Sequence, residues 1–140
     1  MRDDLYLVDT SVWVEVLARG RGGSKLCRRV DDLLAADLAA ITGMVRLELL
    51  GGARNEAEYR RLDRLLSALH LLPVDEECWD EAAHIGFELR QAGISAPFTD
   101  LLIAAVAIQN KTTLIHRDRH FDLIATHLPL KAESHLSKRS

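Results

Sequence analysis

Long apolar runs are missing from this 140-residue chain. No stretch approaches the ~18–20 residues that a membrane-crossing helix needs, which excludes a helical membrane protein. A secretory leader is missing too: Met1-Arg2-Asp3-Asp4 leads directly into a short strand-like run, so a cytoplasmic location is expected. Cysteine is scarce. Cys27 and Cys78 are far apart and neither has a CxxC partner. They read as two free, buried thiols, since a disulfide is unexpected in a cytosolic setting. Internal repeats, linkers and low-complexity tracts are absent as well. The length therefore fits one domain over 1–140 that buries roughly 68–70% of its unfolded surface, with a frayed tail over 134–140. Gly20-Arg21-Gly22-Gly23-Ser24-Lys25 lacks the Gly-Lys-Ser/Thr order of a phosphate loop and follows a helix, so that reading is rejected.

What is present is a globular composition, 48% hydrophobic, with a net charge of −3 that argues against a generic nucleic-acid coat. The total conceals a segregation. Arg19, Arg21, Lys25, Arg28 and Arg29 form a run without an acid, whereas Asp75, Glu76, Glu77, Asp80, Glu81 and Glu88 form one without Lys or Arg. Such opposed fields permit one phosphate-facing side and one water-facing side.

Continuous short apolar runs alternate with helical patterns. Leu5–Val8 reads as a buried strand, Leu38–Ile41 and Thr112–Ile115 as further strands, Leu71–Val74 as a short one whose Pro73 suggests an edge or strand end, and a last strand is expected near Leu128–Lys131. Helices are expected near Ser11–Ala18, Lys25–Ala36, Met44–Leu50, Glu56–His70 and Glu77–Ala92, with Thr42 capping the third. Phe98–Asn110 is apolar around its whole circumference and should be a core helix. A short one follows the turn His116–Arg119. Strands alternating with helices predict an α/β fold, a three-layer α/β/α sandwich around a mostly parallel sheet of four or five strands.

Four acids sit at the transitions of that pattern. Asp9 ends the first strand, Asp100 opens the core helix, Asp118 follows the Thr113–Ile115 run, and Glu48 lies beside Met44 and Val45 on an inward-facing helix surface. Helix capping explains each aspartate singly. Four unrelated explanations at one predicted sheet edge are a weaker account than a shared one. Two unit charges ~4 Å apart interact by about 4 kcal/mol at an effective dielectric near 20. Clustered carboxylates therefore raise one another's pKa or take up a cation. Oxygen ligands without a cysteine or histidine cage favour Mg²⁺ or Mn²⁺ and point to phosphate-ester chemistry. Thr10 and Ser11 are placed to steady the first carboxylate or water. Arg19, Arg21 and Lys25 would guide phosphates to an otherwise negative pocket. His116 and His120 straddle a strand-to-turn transition, which breaks the helical geometry of a paired zinc site. Asp122 reads as a capping or exposed acid, with a peripheral place in the site as the alternative.

The segments Val8-Asp9-Thr10-Ser11-Val12-Trp13, Val45-Arg46-Leu47-Glu48-Leu49-Leu50-Gly51, Thr99-Asp100-Leu101-Leu102-Ile103-Ala104-Ala105 and Arg117-Asp118-Arg119-His120-Phe121 resemble the four motifs of PIN-domain nucleases. In length and layout the chain is similar to the VapC toxins of bacterial toxin–antitoxin pairs. The resemblance implies a toxin that is a metal-dependent endoribonuclease, cutting RNA to 3′-hydroxyl and 5′-phosphate ends. It also implies homodimers and a small antitoxin whose tail occupies the active-site groove. By position, Asp9, Glu48, Asp100 and Asp118 match the family's acidic set, and Thr10 or Ser11 its hydroxyl. His116 departs from the pattern, standing where the family has a small hydroxyl residue.

Two other classes compete. A non-catalytic RNA- or protein-binding module would keep the fold without turnover. A phosphoacceptor receiver-like domain would need a late lysine, which the strand ending at Val74 and Asp75 does not supply. An aspartyl phosphatase fits poorly, because Asp9-Thr10-Ser11 has no second acid two residues on.

Overall fold

Leu7 and Val8 in one strand and Leu114 and Ile115 in the next are wholly buried, and the sheet is built outward from this apolar centre. The computed structural model describes residues 4–19 and 23–136, with the side chain of Arg19 outside the described part. Along the chain run β1 (Tyr6–Val8), α1 (Thr10–Arg19), α2 (Lys25–Ala35), β2 (Ala39–Thr42), α3 (Gly43–Gly51) and α4 (Glu56–Ser67). They are followed by β3 (His70–Leu72), α5 (Glu76–Gln91), α6 (Phe98–Asn110), β4 (Thr113–His116), α7 (Arg119–His127) and β5 (Ala132–Ser134).

The five strands pair in the order β3-β2-β1-β4-β5, every neighbour parallel. Tyr6 lies between Ala39 and Thr113, and Val8 stands beside Ile115. Right-handed crossovers are the rule for parallel strands. They assign α1 to α4 to one face and α5 to α7 to the other, because the chain reverses its march across the sheet after β3. Packing agrees: α1 meets α2 and α3 meets α4, while α5 and α7 both pack on α6. Both faces of a parallel sheet are thus covered, which is why its strands read as unbroken apolar runs. Trp13 from α1 and Phe121 from α7 are among the largest fully buried side chains.

The helix expected to be apolar all round is α6, whose residues from Asp100 to Ala107 are all buried. Gly86 of α5 allows its close approach: a Cβ there would meet Leu101 Cδ1 at 2.9 Å. At its end α6 turns through Lys111 in the left-handed region (φ 54°). Cys27 and Cys78 are buried and free. Among the described residues no helix is long and apolar enough to cross a membrane.

Four expectations shift. The helix expected to reach His70 stops at Ser67, because His70 pairs with Ala40 in the sheet. The last strand lies at Ala132–Ser134 rather than Leu128–Lys131. Pro129 falls within the expected run and has no N–H to donate, so pairing begins beyond it, where Leu114 N donates to Lys131 O at 2.8 Å. Ser134 and the two residues after it are consequently not frayed: His135 N donates to His116 O at 2.8 Å, and of the expected tail 137–140 lie outside the described residues. Thr42 occupies the N-cap of α3, yet its hydroxyl makes no cap bond.

Ile115→Ala should cost about 2–5 kcal/mol in urea unfolding, the usual toll of deleting a buried aliphatic side chain. Leu71→Ala, at a side chain 62% exposed on the outer strand β3, should change stability by no more than about 0.5 kcal/mol.

Candidate metal centre at the sheet rim

In a parallel sheet, a crevice opens beyond the strand ends where neighbouring connections leave in opposite directions. Here that point lies between β1 and β4. Asp9 directly follows β1 and its N–H donates to Ile115 O of β4 at 2.9 Å, extending the ladder by one rung. Asp118 comes two residues after β4 and caps α7. Asp100 enters from the first turn of α6, and Glu48 from α3.

Each acid has its own support. Asp9 is buried, and its Oδ2 accepts from Ser11 N at 3.0 Å and from Ser11 Oγ at 2.6 Å. Ser11 Oγ in turn accepts from Arg117 N at 3.0 Å, tying the start of α1 to the end of β4. Thr10 Oγ1 donates to Glu48 Oε1 at 2.7 Å. Asp118 Oδ1 accepts from His120 N at 2.9 Å, an ordinary helix cap, and lies 2.8 Å from His120 Nδ1. The Asp118 N–H donates to His116 Nδ1 at 3.1 Å. His116, the departure noted in the sequence, therefore supplies the acceptor that positions Asp118. Its ring is fully buried, tilted against Phe121, with Nε2 3.3 Å from Asp122 Oδ1.

Asp100 is different. Its Oδ2 is buried and has no hydrogen-bond partner. That oxygen lies 3.4 Å from His120 Nδ1. Asp100, Asp118 and His120 each offer a ligand atom within 4.8 Å of the others.

Electrostatics record the crowding. Burial, then the charge of Asp118 and a hydrogen bond with it, then the charges of Asp9 and Glu48, push Asp100 up to about 8. Burial likewise raises Asp9, against the opposing hydrogen bonds from Ser11. Asp118 goes the other way. Burial disfavours its charge, but the His120 N–H, the His120 ring and the bond shared with Asp100 together hold it below the usual carboxylate range. The two shifts are opposite in direction, as when a crowded carboxylate pair without a cation relieves its repulsion by holding one proton between them. Burial keeps His116 neutral by lowering its pKa.

The donor set fits a hard divalent cation: carboxylate oxygens, one imidazole, no thiolate, and a buried carboxylate oxygen lacking any hydrogen bond.

Of the residues singled out in the sequence, Asp9, Glu48 and Asp118 all come within electrostatic reach of Asp100, and Thr10 and Ser11 bond Glu48 and Asp9. Glu48 is a correction in one respect: its side chain is exposed, so it faces the open mouth rather than the interior. Lys25 opens α2 and lines a cleft with Arg28, Arg29, Asp32, Glu133, Ser134 and His135 that none of the four acids lines. Arg21 and the Arg19 side chain lie outside the described residues. Asp122 stays outside the group, beside His116 and Ser134. Of the two histidines weighed in the sequence, His120 joins Asp100 and Asp118, while His116 lies beside Asp122. Sequence reasoning weighed His120 only as half of a histidine pair and discounted it, although a signal for its place beside the acids was present. An aspartate N-cap bonds the residue two positions on, which brings that residue close to the capping carboxylate. Arg117 was also missed; its guanidinium bonds Glu15 Oε1 at 2.9 Å and His135 O at 3.4 Å.

Because Asp100 titrates near 8 when folded and near 3.8 otherwise, the metal-free fold binds a proton that the unfolded chain has released. Between those values stability falls as pH rises. Asp100→Asn removes this dependence, so its melting-temperature advantage over the parent in chelator should be small at pH 5 and grow toward pH 9. Thermal unfolding of both proteins across that range is the check.

The PIN domain family matches residues 6–126 of the chain. Over 134 residues the chain is 36% identical to the VapC ribonuclease Mb1587 of Mycobacterium bovis, covering 93% of this chain and 98% of that protein. It is 34% identical over 125 residues to Ribonuclease VapC18 of Mycobacterium tuberculosis, covering 86% of this chain and 88% of the other. Among solved structures, that of VapBC2 from Rickettsia felis bound to a DNA fragment from its promoter matches with a TM-score of 0.76 at 26% identity, over 93% of this chain and 98% of that one. The matched span holds all four acids and the reversal between β1 and β4 that gathers them; the chain belongs to the PIN-domain family, and its relatives there are VapC ribonucleases.

Proposed function

We propose that this protein is the ribonuclease toxin of a VapBC-type toxin–antitoxin pair, hydrolysing RNA phosphodiester bonds with a Mg²⁺ or Mn²⁺ ion at Asp9, Glu48, Asp100 and Asp118. One observation carries the reading: four acids from distant parts of the chain meet where the sheet reverses, around a buried oxygen of Asp100 without a hydrogen bond. Relatives named as ribonucleases at up to 37% identity support the same chemistry.

When bound, the cation would neutralise charge developing on the phosphate and lower the pKa of an attacking water. The chain's own work is positional. Ser11 fixes one Asp9 oxygen through both its amide and its hydroxyl. Thr10 restrains Glu48, which at the exposed rim sits where substrate enters. His116 holds the Asp118 amide while α7 holds its carboxylate. Asp100, rooted in the most buried helix, is the least able to move aside.

Phosphate guidance is assigned to the basic run Arg19, Arg21 and Lys25, of which Lys25 stands with Arg28 at the cleft between α2 and β5. Protein partners, an antitoxin and a second copy of the chain, are supported by exposed apolar surface. Val14, Leu17, Leu62 and Leu65 line one groove, and Trp79, Phe87 and Phe98 another, with Phe98 85% exposed. The domain is taken as the single unit 1–140.

With a fluorescent RNA and Mg²⁺ or Mn²⁺, the purified protein should cut, and chelation should stop it. Asp9→Asn or Asp100→Asn should slow cutting by about 100-fold or more while circular dichroism stays native. Full cutting by Asp9→Asn in excess chelator would remove the proposal. Ser11→Ala should weaken Mn²⁺ binding by about 10-fold, read by calorimetry, because Asp9 loses the hydroxyl that orients it.

A further inference from the structure

His120 is not one of the acids, yet its Nδ1 stands between two of them, 2.8 Å from Asp118 Oδ1 and 3.4 Å from Asp100 Oδ2. Neighbouring ligand atoms on an octahedral centre with bonds of ~2.1 Å lie about 3 Å apart, and the two separations bracket that value. The imidazole does not arrive by chance. Its own backbone N–H is bonded to Asp118 Oδ1 at 2.9 Å, so the first turn of α7 fixes the Cα and aims the ring at the acids. The Asp100 oxygen on its far side is buried without a hydrogen bond, an arrangement that costs free energy unless something positive shares it.

We propose that His120 Nδ1 is a ligand of the divalent cation, alongside Asp100 and Asp118, which makes this a mixed nitrogen–oxygen site that selects Mn²⁺ over Mg²⁺. The inference rests on the metal-centre reading above. The competing role is simple hydrogen bonding, with Nδ1 keeping its proton and only steadying Asp118. In the ligand role the proton moves to Nε2 and the lone pair of Nδ1 faces the cation. Mg²⁺ takes oxygen and water ligands almost exclusively, whereas imidazole suits the first-row transition metals. A ring in this position therefore changes which metal is held.

Manganese bound to the intact protein, examined by pulsed electron paramagnetic resonance for coupling to ¹⁴N, tests this without reference to activity. The parent protein should show nitrogen coupling. His120→Gln should lose it while still binding Mn²⁺ in calorimetry, and its preference for Mn²⁺ over Mg²⁺ should fall by about 10-fold. Bound manganese with no nitrogen coupling in the parent, or coupling that persists in His120→Gln, would overturn the assignment while leaving the acid site standing. No manganese binding by the parent at all would sink the metal centre and this inference together.

Discussion

Repulsion among buried carboxylates is the constraint around which this molecule is arranged. The carboxyl groups of Asp9, Asp100 and Asp118 lie close together in a place with little water, and the charge of Asp118 raises the cost of ionising both Asp9 and Asp100. No local segment would accept that cost by itself. The fold imposes it from outside: β1 and β4 are neighbours at the centre of the sheet, so the residues that leave their ends have one place to go. The core helix α6 adds the third acid from the opposite layer, its buried apolar length acting as the anchor. Hydrophobic burial of Leu7, Val8, Leu114 and Ile115, at roughly 1.5–3 kcal/mol for each large side chain, provides the free energy against which the crowding is tolerated.

Much of this was legible in the chain itself, for a physical reason. Strands covered on both faces must be apolar throughout, and Leu5–Val8 and Thr112–Ile115 announce themselves that way. An acid at the end of such a run, as at Asp9, stands out against its neighbours. Glu48 was legible as a candidate but not in its exposure, because spacing from Met44 and Val45 gives a helix face and not the depth of whatever covers it. The last strand was misplaced since Leu128–Lys131 has the composition of a strand, while Pro129 withholds the hydrogen bond one needs. His120 was discounted for a different reason. Its place depends on a cap bond two residues back and on a helix that reaches it from about twenty residues earlier in the chain, and no local pattern records that meeting. His116 was noticed as a departure, but the role of its ring nitrogen, which accepts from the Asp118 amide, depends on a turn that the sequence does not spell out.

The supports around the acids form one connected set rather than separate props. Asp9 is held by Ser11, Ser11 by the Arg117 amide, and the Arg117 side chain by Glu15 and the His135 carbonyl. From there His135 meets Glu133, which receives two bonds from Arg29 of α2, and Arg29 also lies over the Tyr6 ring at 4.9 Å. The network therefore spans β1, β4, β5 and two helices. A disturbance at the outer strand has a bonded route to the first acid, and the geometry of the rim is a property of the whole sheet.

Asp118 starts α7 with the same oxygen that meets His120. Asparagine is as good a helix starter as aspartate, so exchanging one for the other removes a negative charge here without loosening the helix. On the proposed reading, a bacterium harmed by this protein has an inexpensive evolutionary escape at that codon: a single-base change would disarm the poison and leave an intact body still able to engage its antidote.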